Sequence, residues 1–246
     1  MYKNIYLKLP LFEIGLKGYI YGIKALELAI AADKISKKYD ILIILDPQYV
    51  DIPIIAKETE NLLIFAQHMD SVEIGIGVGK ILPEALKEAG AVGTLLNHSE
   101  NRLTLSEINK TIKRADGVGL ATMVCADSPE EAAAIAHLGP NIILAEPPNL
   151  IGTGKSVGKS QKEFIFRTQA IIRDINPEII VFNSAGIKTA EDVAEIINLG
   201  AQATGSTSGI LKAPNPIKTM EEMVRALREA LDNKLLTKAP TKILPG

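Results

Sequence analysis

The chain has 246 residues, 47% hydrophobic and 23% charged, with a formal net charge of -2 and a pI near 6.0. That balance can fill the core of one large domain or two small ones, and it provides no global field to gather nucleic acid or an anionic membrane. Cys125 is the single cysteine, no apolar stretch approaches the roughly 20 residues that span a bilayer, and the first residues lack a signal-peptide pattern, so a cytoplasmic location is expected.

Short aliphatic runs alternate with segments of helical period. Strands are expected over residues 5–8, 41–45, 62–66, 93–97, 117–125, 142–146, 179–183 and, less clearly marked, 203–206. Helices are expected near 22–38, 52–59, 80–89, 105–114, 129–137, 160–174, 190–198 and 217–232. Ser128-Pro129-Glu130-Glu131 has the form of a capping box with Pro at the first helical position, and Thr104-x-x-Glu107 and Thr219-x-x-Glu222 share its spacing. Gly90, Gly139 and Gly200 stand where helices should stop.

Strands that read as continuous apolar runs, each followed by a helix, imply a parallel sheet covered by helices. Eight such units fit a (β/α)8 barrel over residues 1–232, with 233–246 as a C-terminal tail. The competing architecture, a doubly wound open sheet, would carry Gly-x-Gly-x-x-Gly after its first strand. Here the first expected strand runs into Lys8-Leu9-Pro10.

In a barrel, the C-terminal ends of the strands converge on one mouth. Lys8 ends the first expected strand, His98 follows the fourth and Glu146 ends the sixth. Singly, each is more often a solvated or structural residue. Together they support proton movement beside a carbonyl, with a carboxylate taking a proton from carbon while an imidazole and an ammonium stabilise the charge on oxygen. That chemistry requires neither a metal nor a redox cofactor. Pro147-Pro148 and Gly152-x-Gly154 after Glu146 describe a stiffened, hinged lid.

The segment 82–102, ending in Asn97-His98-Ser99-Glu100-Asn101-Arg102, and the run Ala145-Glu146-Pro147-Pro148-Asn149-Leu150-Ile151-Gly152-Thr153-Gly154 resemble the triosephosphate isomerase family in its short archaeal form. Ala66-Gln67-His68-Met69-Asp70 and Ala185-Gly186-Ile187 extend the likeness. The resemblance implies a TIM barrel that interconverts dihydroxyacetone phosphate and D-glyceraldehyde 3-phosphate, a place in glycolysis and gluconeogenesis, and a homodimer or homotetramer. It also implies a small phosphorylated triose as the substrate. Glu146 would be the base, His98 the electrophile, Lys8 the positive charge, and Glu100 a buried acid that organises the turn. Gly152 would close on the substrate phosphate, with Ser184, Ala185, Gly186, Thr207, Ser208 and Gly209 forming the rest of the cradle.

The same resemblance marks departures. The family carries Asn two residues before the lysine, where this reading places Tyr6, and Ser184 stands where the family has glycine. Residues 203–209 are rich in hydroxyls where an aliphatic strand is usual, and Gly75-Ile76-Gly77-Val78-Gly79 replaces a polar loop that docks on a neighbouring subunit. A paralogue that acts on or merely binds another small phosphorylated sugar is therefore the alternative.

Overall fold

The computed structural model describes residues 7, 9–147, 159–184 and 186–238. Its strands are β1 (Leu11–Gly15), β2 (Leu42–Asp46), β3 (Leu62–Ala66), β4 (Gly93–Leu96), β5 (Ala121–Ala126), β6 (Ile142–Ala145), β7 (Ile180–Phe182) and β8 (Ala203–Gly205). They pair in parallel and in chain order, and β8 closes on β1 with Leu11 opposite Ala203, which makes the (β/α)8 barrel. Helices α1 (Ile23–Tyr39), α2 (Ile52–Glu58), α3 (Pro83–Glu88), α4 (Leu105–Val118), α5 (Pro129–Ala136), α6 (Lys159–Ile175), α7 (Ala190–Asn198), α8 (Ser208–Leu211) and α9 (Pro216–Lys238) surround it. No helix among the described residues is long and apolar enough to cross a membrane.

Strand alternation divides the core into two parts. Leu11, Ile44, Phe65, Leu95, Met123, Ile142, Leu144 and Phe182 fill the barrel, while Phe12, Ile14, Ile43, Leu45, Ile143 and Val181 pack outward with the helices. This parity aims Glu13 inward with Leu11, Asp46 with Ile44, and Glu146 with Leu144. Space inside is tight: a Cβ on Gly93 would sit 2.4 Å from the Phe65 ring, its neighbour across the β3–β4 pairing. Gly93→Ala is accordingly expected to cost about 1–3 kcal/mol. A urea titration would show this as a lower midpoint.

The first strand corrects the sequence reading. It is Leu11–Gly15, and not 5–8. A strand ending at Lys8 would leave 9–22 as an unusually long connection to α1, whereas Leu11–Gly15 pairs residue by residue with Leu42–Asp46. The expected strand 117–125 also shifts, because α4 runs to Val118 and Gly119 caps it at φ 84 before β5 begins. At α9 the start signal is Asn215, whose Oδ1 accepts the Lys218 N–H at 3.1 Å; Thr219 lies within the helix, which continues to Lys238 past the expected end at 232.

Capping at α5 is half of the expected box. Ser128 Oγ accepts the Glu131 N–H at 3.1 Å, but the Glu131 carboxylate accepts from Asp127 N–H at 2.7 Å and is drawn to the turn after β4. The reciprocal box occurs at Thr189 and Asp192, where both side chains accept backbone N–H groups.

Candidate active site

The C-terminal strand ends open into a cavity of about 370 Å³. Glu146 lies in its wall directly after β6, and its backbone N–H still donates to Ala126 O at 2.9 Å, so the residue inherits the strand's direction. Ser184, just beyond β7, donates its hydroxyl to Glu146 Oε1 at 2.6 Å. Burial raises the Glu146 carboxyl above its ordinary 4.5, and the Ser184 hydrogen bond and the Lys17 charge act against that rise.

His98 is presented by a turn that neighbouring strands hold rigid. Asn97 takes a left-handed φ of 58, its side-chain N–H groups donate to Cys125 O at 3.0 Å and Glu131 at 3.1 Å, and its Oδ1 accepts Leu103 N–H at 3.0 Å. Arg102 adds bonds to Asn97 O at 3.2 Å and Glu131 at 2.7 Å. The Glu100 backbone N–H donates to His98 Nδ1 at 3.1 Å. An accepting Nδ1 leaves the hydrogen of the neutral ring on Nε2. Burial first, then the Lys17 charge, hold the imidazole below its usual 6.5, so it faces the cavity as a neutral donor near neutral pH.

The ammonium in this cavity belongs to Lys17, two residues after β1. Its Nζ donates to Glu100 Oε1 at 2.8 Å, and its carbonyl accepts from Gln48 Nε2 at 2.6 Å and Gln67 Nε2 at 3.0 Å. Gln67 also reaches Asp46 O at 2.9 Å and so ties the ends of β1, β2 and β3 together. Glu100 is not the buried acid expected: its side chain is 64% exposed. It stands at the exposed rim of the cavity, where its carboxylate meets Lys17, while its backbone orients the imidazole.

Ser184, Gly186, Thr207 and Ser208 line the cavity as expected for binding groups, though Ser184 spends its hydroxyl on Glu146. Gly209 lies behind this wall, where a Cβ would meet Ser206 Oγ at 2.5 Å and Ile187 O at 2.7 Å. Lys8, Tyr6, Gly152 and Ala185, and the expected lid beyond Pro147, lie outside the described residues. Sequence reasoning passed over Lys17, Lys188, Lys212, Glu13 and Asp46, all of which face the cavity. For Lys17 a signal existed, since 11–17 is a second aliphatic run ending in lysine. For Lys188 and Lys212 there was none.

Residues 22–227 match the model of the family described as triosephosphate isomerase. The chain belongs to the triosephosphate isomerase family. It is 42% identical over 217 residues to a triosephosphate isomerase of Methanobacterium bryantii, a match that covers 87% of this chain and 96% of that one. It is 40% identical over 230 residues to that of Sulfolobus acidocaldarius, covering 93% and 99%, and 39% identical over 204 residues to that of Methanocaldococcus jannaschii, covering 83% and 93%. The family match begins downstream of β1. With Lys17 as the lysine, the residue two positions earlier is Gly15, which has no side-chain donor.

Proposed function

We propose that the chain interconverts dihydroxyacetone phosphate and D-glyceraldehyde 3-phosphate through an enediolate, as an aldose-ketose isomerase of glycolysis and gluconeogenesis in the cytoplasm. Its family membership supports this reading. The observation that carries it is the meeting of Glu146, His98 and Lys17, from three distant stretches of chain, in one cavity at the C-terminal mouth of the barrel.

Glu146 takes a proton from the carbon beside the carbonyl, and the electron pair moves into the C–C bond and onto the carbonyl oxygen. The Nε2–H of neutral His98 and the ammonium of Lys17 stabilise that oxygen. The former carbonyl oxygen takes a proton from His98 Nε2, which recovers one from the neighbouring hydroxyl oxygen as that becomes the new carbonyl, and protonation of the other carbon by the same carboxyl completes the exchange, so no net oxidation occurs and no cofactor is consumed. Gly186 and Ser208, with the charges of Lys188 and Lys212, line the side of the cavity where the phosphate is to be held. The decisive experiment is isomerisation in deuterium oxide. Deuterium should enter the carbon-bound position of either triose phosphate, and absence of both turnover and exchange would refute the assignment.

The pH profile offers a separate check. Glu146 acts as a base only when ionised, so activity falls as pH drops through its raised pKa. Ser184→Ala removes a bond that favours the carboxylate and should move the acid limb of kcat/KM to higher pH. A limb that stays in place would mean that another group titrates.

The functional form is proposed to be a homo-oligomer, a dimer or tetramer. Ile74, Ile76 and Val78 stand exposed on the loop after β3, an apolar surface suited to a second copy of the chain. Light scattering of the wild type against Ile76→Asp, with Val78→Asp alongside, tests this through loss of mass in the variants.

A further inference from the structure

Two acidic side chains at the floor of the cavity have no part in the chemistry above. Glu13, in the middle of β1, is 6% exposed, and Asp46, at the end of β2, is 1% exposed. The β1–β2 register sets Gly15 beside Asp46, and a Cβ built on Gly15 would have Glu13 Oε1 at 2.7 Å and Asp46 Oδ2 at 3.9 Å, so the two carboxyls flank one point at the end of β1. Neither oxygen of Asp46 has a hydrogen-bond partner among the described residues. Glycines make the space, since a Cβ on Gly205 would likewise lie 2.6 Å from Glu13 Oε2. The Glu13 carboxyl thus fills a slot between the ends of β1 and β8 that any side chain at either glycine would close.

The groups facing Glu13 include few cations. Asp46 approaches from β2, Glu146 from beyond β6, and the Cys125 thiol lies in β5; just beyond β8 the hydroxyls of Ser206 and Thr207 line the cavity. Lys17 beyond β1 is the cation that acts on Glu13, and its ammonium is engaged by Glu100 at 2.8 Å. Two buried carboxyls side by side without a bridging cation do not both ionise. Burial and the charge of Glu13 hold Asp46 well above its usual range, so it remains the neutral acid. Burial and the Glu146 charge push Glu13 up to about 7, which makes Glu13 the member that changes state near neutrality.

Resting on the isomerase reading, we propose that Glu13 is a ligand-positioning group that takes up a proton from solvent when a phosphorylated triose binds and donates that hydrogen to a substrate oxygen, while Asp46 stays a neutral acid beside it. The incoming phosphate ester is an anion, and a second carboxylate beside Glu146 would oppose it. Protonation of Glu13 removes that charge and converts an acceptor into a donor. Affinity is then linked to pH through a residue other than the carboxyl that transfers the proton at carbon.

The probe is glycerol 3-phosphate, which carries the phosphate and hydroxyls but no carbonyl to isomerise. Calorimetric titration at pH 8 in buffers of different ionisation enthalpy should show net proton uptake on binding. Affinity should weaken by about tenfold per pH unit once Glu13 is ionised in the free protein. Glu13→Gln, nearly isosteric and unable to titrate, should lose both the uptake and the slope, whereas Glu146→Gln should keep the uptake. Uptake unchanged in Glu13→Gln, uptake lost only in Glu146→Gln, or no binding of the probe would overturn the inference. If Glu13→Gln does not fold, carboxyl ¹³C spectra of the wild type serve: adding the probe at pH 8 should move one buried carboxyl from the ionised to the acid position, and no such movement overturns the proposal. Uptake without isomerase turnover would refute the isomerase reading alone, and turnover without uptake would refute this inference alone.

Discussion

Glu146→Gln should lower kcat by about 10²–10⁴-fold, the usual contribution of a positioned general base. The change preserves the shape of the side chain and its contact with the Ser184 hydroxyl, 2.6 Å away in the wild type, so the cavity wall should survive. Loss is therefore expected in kcat, with KM changed far less, because the carboxylate acts on the reacting carbon and not on the phosphate. Incorporation of solvent deuterium should fall in parallel. A variant that kept wild-type exchange would place the base elsewhere, and the remaining carboxyls that line the cavity, Glu13, Asp46 and Glu100, would be the first to examine.

Lys17→Met should reduce kcat/KM by about 10²–10³-fold, the scale seen when a preorganised group facing developing negative charge is removed. The methionine retains the unbranched stem and should pack where the aliphatic part of Lys17 packs. Both constants should suffer, since an ammonium in this position attracts the anionic ester before reaction and the enediolate during it. Lys17→Arg should rescue poorly, because a planar guanidinium cannot occupy the place of a compact ammonium already held by Glu100 at 2.8 Å. Glu100→Gln should be much milder, as that side chain is 64% exposed and its backbone N–H, not its carboxylate, meets His98. Steady-state kinetics on the three variants checks the order. Near-wild-type activity in Lys17→Met would remove this residue from the site.

The strands from β2 to β7 were legible because each is a short, mostly aliphatic run set off by turn residues, and a run of that kind buried on both faces needs no partner to declare itself, whereas the hydroxyl-rich β8 was only weakly marked. Glu146 and His98 stood out for a related reason: each directly follows such a run and sits in a distinctive local motif. The first strand was obscure because 5–8 and 11–17 are both short stretches with aliphatic residues that end in lysine, and nothing local distinguishes them. Only its pairing with β2 and β8 breaks the tie.

Glu100 makes the same point on a smaller scale. Its place in the motif is evident from the chain, but whether it turns inward or outward depends on where the Lys17 ammonium ends up, and Lys17 is remote in sequence. Asp46, Lys188 and Lys212 are unremarkable one by one and acquire meaning from the cavity they share.

Local chemistry, then, was enough to specify an eight-unit parallel barrel and to single out a carboxylate and an imidazole at strand ends, since apolar period and turn residues act between neighbours in the chain. Which lysine joins them, which way Glu100 faces, and that two carboxyls meet beneath the site were matters for the closed barrel, because strand register and the space left by Gly15 and Gly205 are set by contacts between segments far apart in sequence.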